Sequence, residues 1–172
     1  MAASYDNPRR EVRPTRTVRS LAGPELSDRL AEEIARAERH STRLSCLLLV
    51  VENLDSMVRE HGSELREQML AYMTSALTPA LRVFDRIGRP PEGDGELLIL
   101  LPGADAPQAE VVARRVLERL RAVKLESGGQ RAPLRLSVGL AAWREPSTAE
   151  DLFDLAHAAA VRPNGNGNGS GS

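Results

Sequence analysis

One cysteine, one lysine and five aromatic residues are all that 172 positions contain of those types. The lone Cys46 excludes an intrachain disulfide and any thiolate cluster for a metal. Its place in the apolar run LSCLLLVV points to a buried, inert thiol. With an aromatic share of 3%, the core has to be built from Leu, Val, Ile and Ala, which suits a sheet covered by helices. No apolar run approaches the roughly 18 residues that cross a bilayer. The early arginines are followed by no apolar h-region, so no secretory signal is expected and a cytoplasmic protein is. An excess of one charge is missing too: the net charge of -1 gives no general pull toward nucleic acid or anionic lipid. P-loop, Rossmann fingerprint, HExxH and nucleophile elbow are all absent. The three histidines, His40, His61 and His157, lack metal-ligand spacing and are expected at the surface.

The 41% of apolar residues suffices for one core. Residues 1–24 set five arginines (Arg9, Arg10, Arg13, Arg16, Arg19) against Asp6 and Glu11, a balance of +3, without apolar periodicity, and are expected to be a flexible arm. Such an arm could touch phosphate, acidic partners or lipid headgroups, or simply keep the chain in solution. Residues 163–172 end in NGNGNGSGS, a tail that cannot bury surface. One domain over 25–162 is left, with no internal repeat and no legible sensor module.

Within it, Ser27 is placed to cap a helix with Leu30, Ile34 and Ala37 on its apolar side. Residues 44–52 read as a central strand apolar on both faces. Residues 54–77 have helical spacing, broken at Gly62 and ended by Pro79. Two strands at 82–89 and 96–101 flank the loop PPEGDG, whose prolines and glycines mark a hairpin. An amphipathic helix at 107–123, a strand at 134–142 and a helix at 146–161, capped by Ser147 or Thr148, complete the chain.

Several local words in this order resemble the GGDEF family of diguanylate cyclases, in the nucleotide cyclase superfamily. ARAERH at 35–40 looks like the end of the family's opening helix. LSCLLLVVE at 44–52 looks like the strand that leads into its metal-binding segment. RVFDRIGR at 82–89 resembles the RxxD stretch before the signature hairpin, and GELLILLP at 95–102 resembles the second half of "GGDEF" with its strand. LSVGLA at 136–141 and residues 152–159 resemble the closing strand and helix. The resemblance covers roughly residues 26–161. It implies an α/β fold (an α+β sandwich): a central mixed sheet of the five-stranded type, with an antiparallel hairpin, flanked by helices.

In this family two acids hold the divalent metal for condensing two GTP molecules, since Mg²⁺ requires hard oxygen ligands that bridge to phosphate. The first acid falls at Glu52, in place of the usual aspartate. The third signature position falls at Gly95 when counted back from Pro102, while the loop is two residues longer than usual. Asp94 is the substitute acid nearest to it, and Glu96 occupies the fourth signature position. Glu52, Asp94 and Glu96 are therefore vestigial catalytic positions, the first two also weak metal candidates; each also reads as a solvated strand-end or turn carboxylate. Ser56-Met57-Val58 lacks the family's phosphate-binding lysine, Arg59-Glu60-His61 shows no guanine-binding pair, and Arg66-Glu67 stands where the family has Gly-Asp. A closing-helix lysine would fall near Asn164. Loss of catalysis is expected, with no cofactor, and Mg²⁺ only if residual cyclase activity survives.

The resemblance preserves one constellation: Arg82 and Asp85 match the RxxD of the family's product-binding site, and Arg115 matches its second arginine. These imply cyclic di-GMP as a ligand, gripped by planar guanidinium groups that pair with phosphate and lie on guanine. An ordinary surface ion pair and a solvated helix flank explain the same residues. Partners other than cyclic di-GMP are a protein or a second copy of the chain, and not nucleic acid.

Overall fold

Seven of the eight residues of the central strand, β1 (Leu44–Val51), are buried because it is paired along both edges and covered on both faces. The structure is a computed structural model that describes residues 21–91, 93–122, 124–127, 130–145 and 147–161, with backbone alone at 124–127, 130–133 and 161. β1 runs antiparallel to β3 (Glu96–Pro102) on one side and to β6 (Leu136–Ala142) on the other. A short β2 (Arg86–Gly88) pairs antiparallel with β3, giving the sheet order β2-β3-β1-β6. A separate two-stranded ribbon joins β4 (Lys124–Ser127) to β5 (Gln130–Pro133).

Period-two alternation splits the apolar strand residues between two layers of helix. Leu47, Leu49 and Val51, with Leu97, Ile99 and Leu101, pack against α2 (Leu54–His61), α3 (Glu64–Leu77) and α4 (Ala106–Arg121). Cys46 and Leu48, with Leu98 and Leu100, pack against α1 (Gly23–His40) and α5 (Ala149–Val161). The core is aliphatic, as the composition required, with Trp143 and Phe153 packed at its margin. Cys46 has no exposed surface, and burial pushes its thiol up to about 12, so it is no nucleophile. Among the described residues no helix is long and apolar enough to cross a membrane.

The sheet flanked by helices and its antiparallel hairpin agree with expectation, but the main sheet has four strands, all antiparallel, rather than five in mixed directions. The one parallel contact among the described residues is the isolated bridge between Leu21 and Gly88. The β4–β5 ribbon was not expected. KLES and QRAP carry no apolar run, and their pairing rests on backbone hydrogen bonds rather than on a sequence pattern. Helix α1 starts at Gly23, with Pro24 in its first turn, and Ser27 sits inside it, donating to the Gly23 carbonyl at 3.2 Å instead of capping. The fold therefore includes residues 21–24, which the sequence assigned to the arm; residues 1–20 and 162–172 lie outside the described residues. Gly62, at φ 95°, separates α2 from α3 as expected. Thr148 is the cap of α5: its hydroxyl accepts from the Asp151 N–H at 3.2 Å, and the Asp151 carboxylate accepts from the Thr148 N–H at 2.8 Å.

Candidate functional site

The hairpin loop joining β2 to β3 projects beside the N-terminal ends of α2 and α3. Glu52 follows β1 directly; its N–H donates to the Arg135 carbonyl at 2.8 Å, and its carboxylate accepts from the Ser137 hydroxyl of β6. Leu54 is buried at the start of α2 and lies against Gly95. Gly95 has φ 71°, and its carbonyl accepts from the Val51 N–H at 3.0 Å, which fixes it one register step from Glu52. A Cβ at this position would come within 2.5 Å of Leu54 Cδ2. Gly95 is thus favoured by its left-handed backbone conformation, with the movable tip of Leu54 where a side chain would begin.

The other acids are dispersed. Asp94 is bound by the Arg66 guanidinium, which also reaches Asp55 at 3.6 Å. Glu96 opens β3, and by strand alternation its side chain lies on the opposite face from the Leu54 contact of Gly95. It approaches His157 Nε2 at 3.5 Å, and burial holds its carboxyl above the usual range against the pull of that histidine. Glu52, Asp94 and Glu96 therefore have three different partners on three elements: Ser137, Arg66 and His157. Among the described residues no three His, Cys, Asp or Glu side chains are grouped to hold a metal. The residues present do not fit the family's metal: Gly95 offers no oxygen ligand from its side chain, and Asp94 already has a cation.

Arg66 and Glu67 together clamp the hairpin. While Arg66 takes Asp94, Glu67 accepts two hydrogen bonds from Arg89, at 2.8 and 2.7 Å. Those bonds hold the Glu67 carboxyl below its ordinary range and raise Arg89. From the sequence alone these two residues read only as a departure from the family's Gly-Asp. The available signal was the complementary order of charge: plus-minus on α3 against Arg89 and Asp94 on the loop.

The RxxD stretch is a turn rather than the strand expected over 82–89; only residues 86–88 join the sheet. Asp85 causes the difference. Its carboxylate accepts from the Arg82 N–H at 2.7 Å, while its own N–H donates to the Arg82 carbonyl at 3.2 Å. Asp85 is 3% exposed, and burial raises its carboxyl above the ordinary range, opposed by the Arg82 N–H and the charges of Arg82 and Arg86. Arg82 is exposed beside it, and Arg115 is exposed on α4 next to the buried Val116. Arg82, Asp85 and Arg115 line none of the three principal cavities.

Comparison with known proteins agrees with this architecture. The curated relative DgcC, a probable diguanylate cyclase of Escherichia coli K12, is 29% identical over 112 residues. The matched stretch is 65% of this chain and only 29% of DgcC, so the chain spans less than a third of that relative. Pseudomonas aeruginosa SiaD, a diguanylate cyclase solved in complex with its activator SiaC, superposes with a TM-score of 0.76 at 27% identity, over 81% of this chain and 53% of the SiaD chain. The GGDEF domain of P. aeruginosa FimX gives 0.74 at 19% identity, over 84% of this chain and 89% of that one. The GGDEF domain of DgcB from Caulobacter crescentus, solved in complex with c-di-GMP, gives 0.73 at 17%, over 82% and 81%. At those two identities the likeness concerns the fold. Residues 25–169 match the family described as "Diguanylate cyclase, GGDEF domain", and on that match, with the fold, the chain belongs to the GGDEF family.

Proposed function

We propose that this chain is a GGDEF domain without cyclase turnover, which acts in signalling by binding rather than by catalysis. The observation that carries this reading is Gly95, at φ 71° and against Leu54, where the family places a metal-binding acid. In-line attack of one GTP on another requires metal held at a fixed distance from the α-phosphate. Glu52 is held by Ser137, and Asp94 is neutralised by Arg66. A residual cyclase would have to recruit Mg²⁺ or Mn²⁺ to those two carboxylates by breaking both contacts. Incubation with GTP and either metal, followed by chromatography, is expected to give no cyclic di-GMP above the protein-free control. Product that increases with enzyme concentration would overturn the reading.

As ligand we infer cyclic di-GMP at Arg82 and Arg115, the molecule that DgcB carries in its complex. The exposure of both guanidinium groups favours this assignment, as they are free to pair with phosphate or lie on a purine. Asp85 contributes as the residue that fixes the turn and the direction of Arg82. Calorimetric titration is expected to show binding that Arg82→Ala weakens at least tenfold. No heat at several hundred micromolar ligand, or a heat unchanged by that substitution, leaves the scaffold reading, in which the domain binds a protein. SiaD, a structural relative with an activator protein bound, illustrates that class of partner.

A further inference from the structure

Phe84 is 67% exposed, the most exposed large apolar side chain among the described residues, and Val83 beside it is 54% exposed. The turn that displays them is fixed. Asp85 and Arg82 exchange two hydrogen bonds, and Arg86 Nη1 donates to the carbonyls of both Val83 and Asp85 at 2.9 Å. A turn whose backbone is already fixed spends little ordering entropy on docking its aromatic ring, as expected of an interface anchor.

The surroundings of the ring are basic. Phe84 shares a cavity of about 240 Å³ with Arg29, Arg36, Arg43 and Arg86. Arg29 is met by Glu32 and Glu33, and Arg43 by Asp105. Arg86 donates to two carbonyls and faces the buried Asp85, and Arg36 has no acidic partner among the described residues. The knob therefore carries surplus positive charge.

A complementary surface exists on the same molecule. Between α1, the hairpin loop and α5 lies an open cavity of about 660 Å³ with Leu26, Leu30, Leu98 and Phe153 in its floor. Glu96, Glu150 and Asp154 line it as well, with His157 opposite Glu96. It has room for a phenylalanine ring and the valine beside it, and its carboxylates suit the arginines that flank that ring.

We propose that the Val83–Phe84 turn of one copy seats in the acid-lined cavity of a second copy. The turn is fixed by its own hydrogen bonds beside the basic cavity, and the acid-lined cavity shares no lining residue with that one, so the contact is made between two chains. The contact is heterologous, a knob on one side meeting a socket on the other, so assembly proceeds head to tail and does not close as a two-fold pair.

Sedimentation velocity from low micromolar to millimolar protein is expected to show a mass that rises with concentration and falls with added salt. Phe84→Glu destroys the knob and Asp154→Arg the socket; both positions are exposed, and circular dichroism checks that each variant is folded. Each variant alone is expected to associate at least tenfold more weakly than the unmodified chain. An equimolar mixture of the two should form dimers and nothing larger, because one intact knob meets one intact socket and the remaining ends are dead. Val83→Cys mixed with Ala149→Cys should give a disulfide between the two chains that neither gives alone. A chain that stays monomeric throughout, association unaffected by Phe84→Glu, or variants that fail to complement would each overturn the proposal. The first of these outcomes would leave the knob to a different, acidic partner.

Discussion

The two faces of the sheet are sealed by different physics. On the face under α1 and α5, closure is by contact: the α5 backbone lies so close to β6 that a Cβ on Gly139 would come within 1.8 Å of the Ala156 carbonyl oxygen. The interior of the other face is equally apolar, but its rim at the hairpin is held by charge, through Arg66 on Asp94 and Asp55 and through Arg89 on Glu67. Contact packing tolerates almost no change. Exposed ion pairs contribute little to stability, so the residues making them can vary while the fold persists. That contrast explains how a GGDEF fold can keep its core while the residues at its rim vary.

The sharpest way to break the comparison is Gly139→Ala. Ala156 and Ala160 belong to the α5 backbone and cannot rotate aside, so the helix must lift from the sheet. A loss of about 3 kcal/mol or more in urea unfolding is expected, or failure to fold. A loss below about 1 kcal/mol would mean that α5 is not seated as closely as described.

Gly95→Asp tests the opposite face and restores the acid that the family signature calls for. The left-handed conformation costs a side chain about 1–2 kcal/mol, and the neighbour in the way is the far end of Leu54, which can shift. The expected loss is therefore smaller than at Gly139, and adding Leu54→Ala should not be additive with it, since the two residues touch. No cyclic di-GMP should form from GTP, because Asp94 remains bound to Arg66 and Glu52 to Ser137. Turnover by Gly95→Asp that the unmodified chain lacks would trace the proposed loss of activity to one carboxylate rather than to the whole rim.

Legibility in the sequence followed the same division. The run 44–51 announced a strand buried on both faces, and the hairpin prolines, Gly62 and Thr148 marked turns and a cap, because burial and backbone conformation leave local patterns. The partners of the rim were not legible: Arg66 lies 28 residues from Asp94, and Ser137 lies 85 from Glu52, distances at which no periodicity speaks. The strand expected over residues 82–89 fails for a related reason: a carboxylate three residues after an N–H is a turn-former, and Asp85 forms that turn with Arg82.

The smallest expected effect sharpens the comparison from the charged side. Arg89→Ala removes both hydrogen bonds to Glu67, a pair with exposed partners, and should cost less than about 1 kcal/mol near neutral pH. Its pH dependence identifies the source. The Glu67 carboxyl is held below its ordinary range in the folded chain, so its contribution is present above the unfolded value of about 4.3 and is lost as pH falls through the depressed folded one. The difference between the unmodified chain and Arg89→Ala should therefore be full at neutral pH, shrink on acidification, and diminish with added salt. A difference of about 2 kcal/mol or more, or one indifferent to both pH and salt, would mean that the rim is held by packing after all, and that the two faces are sealed alike.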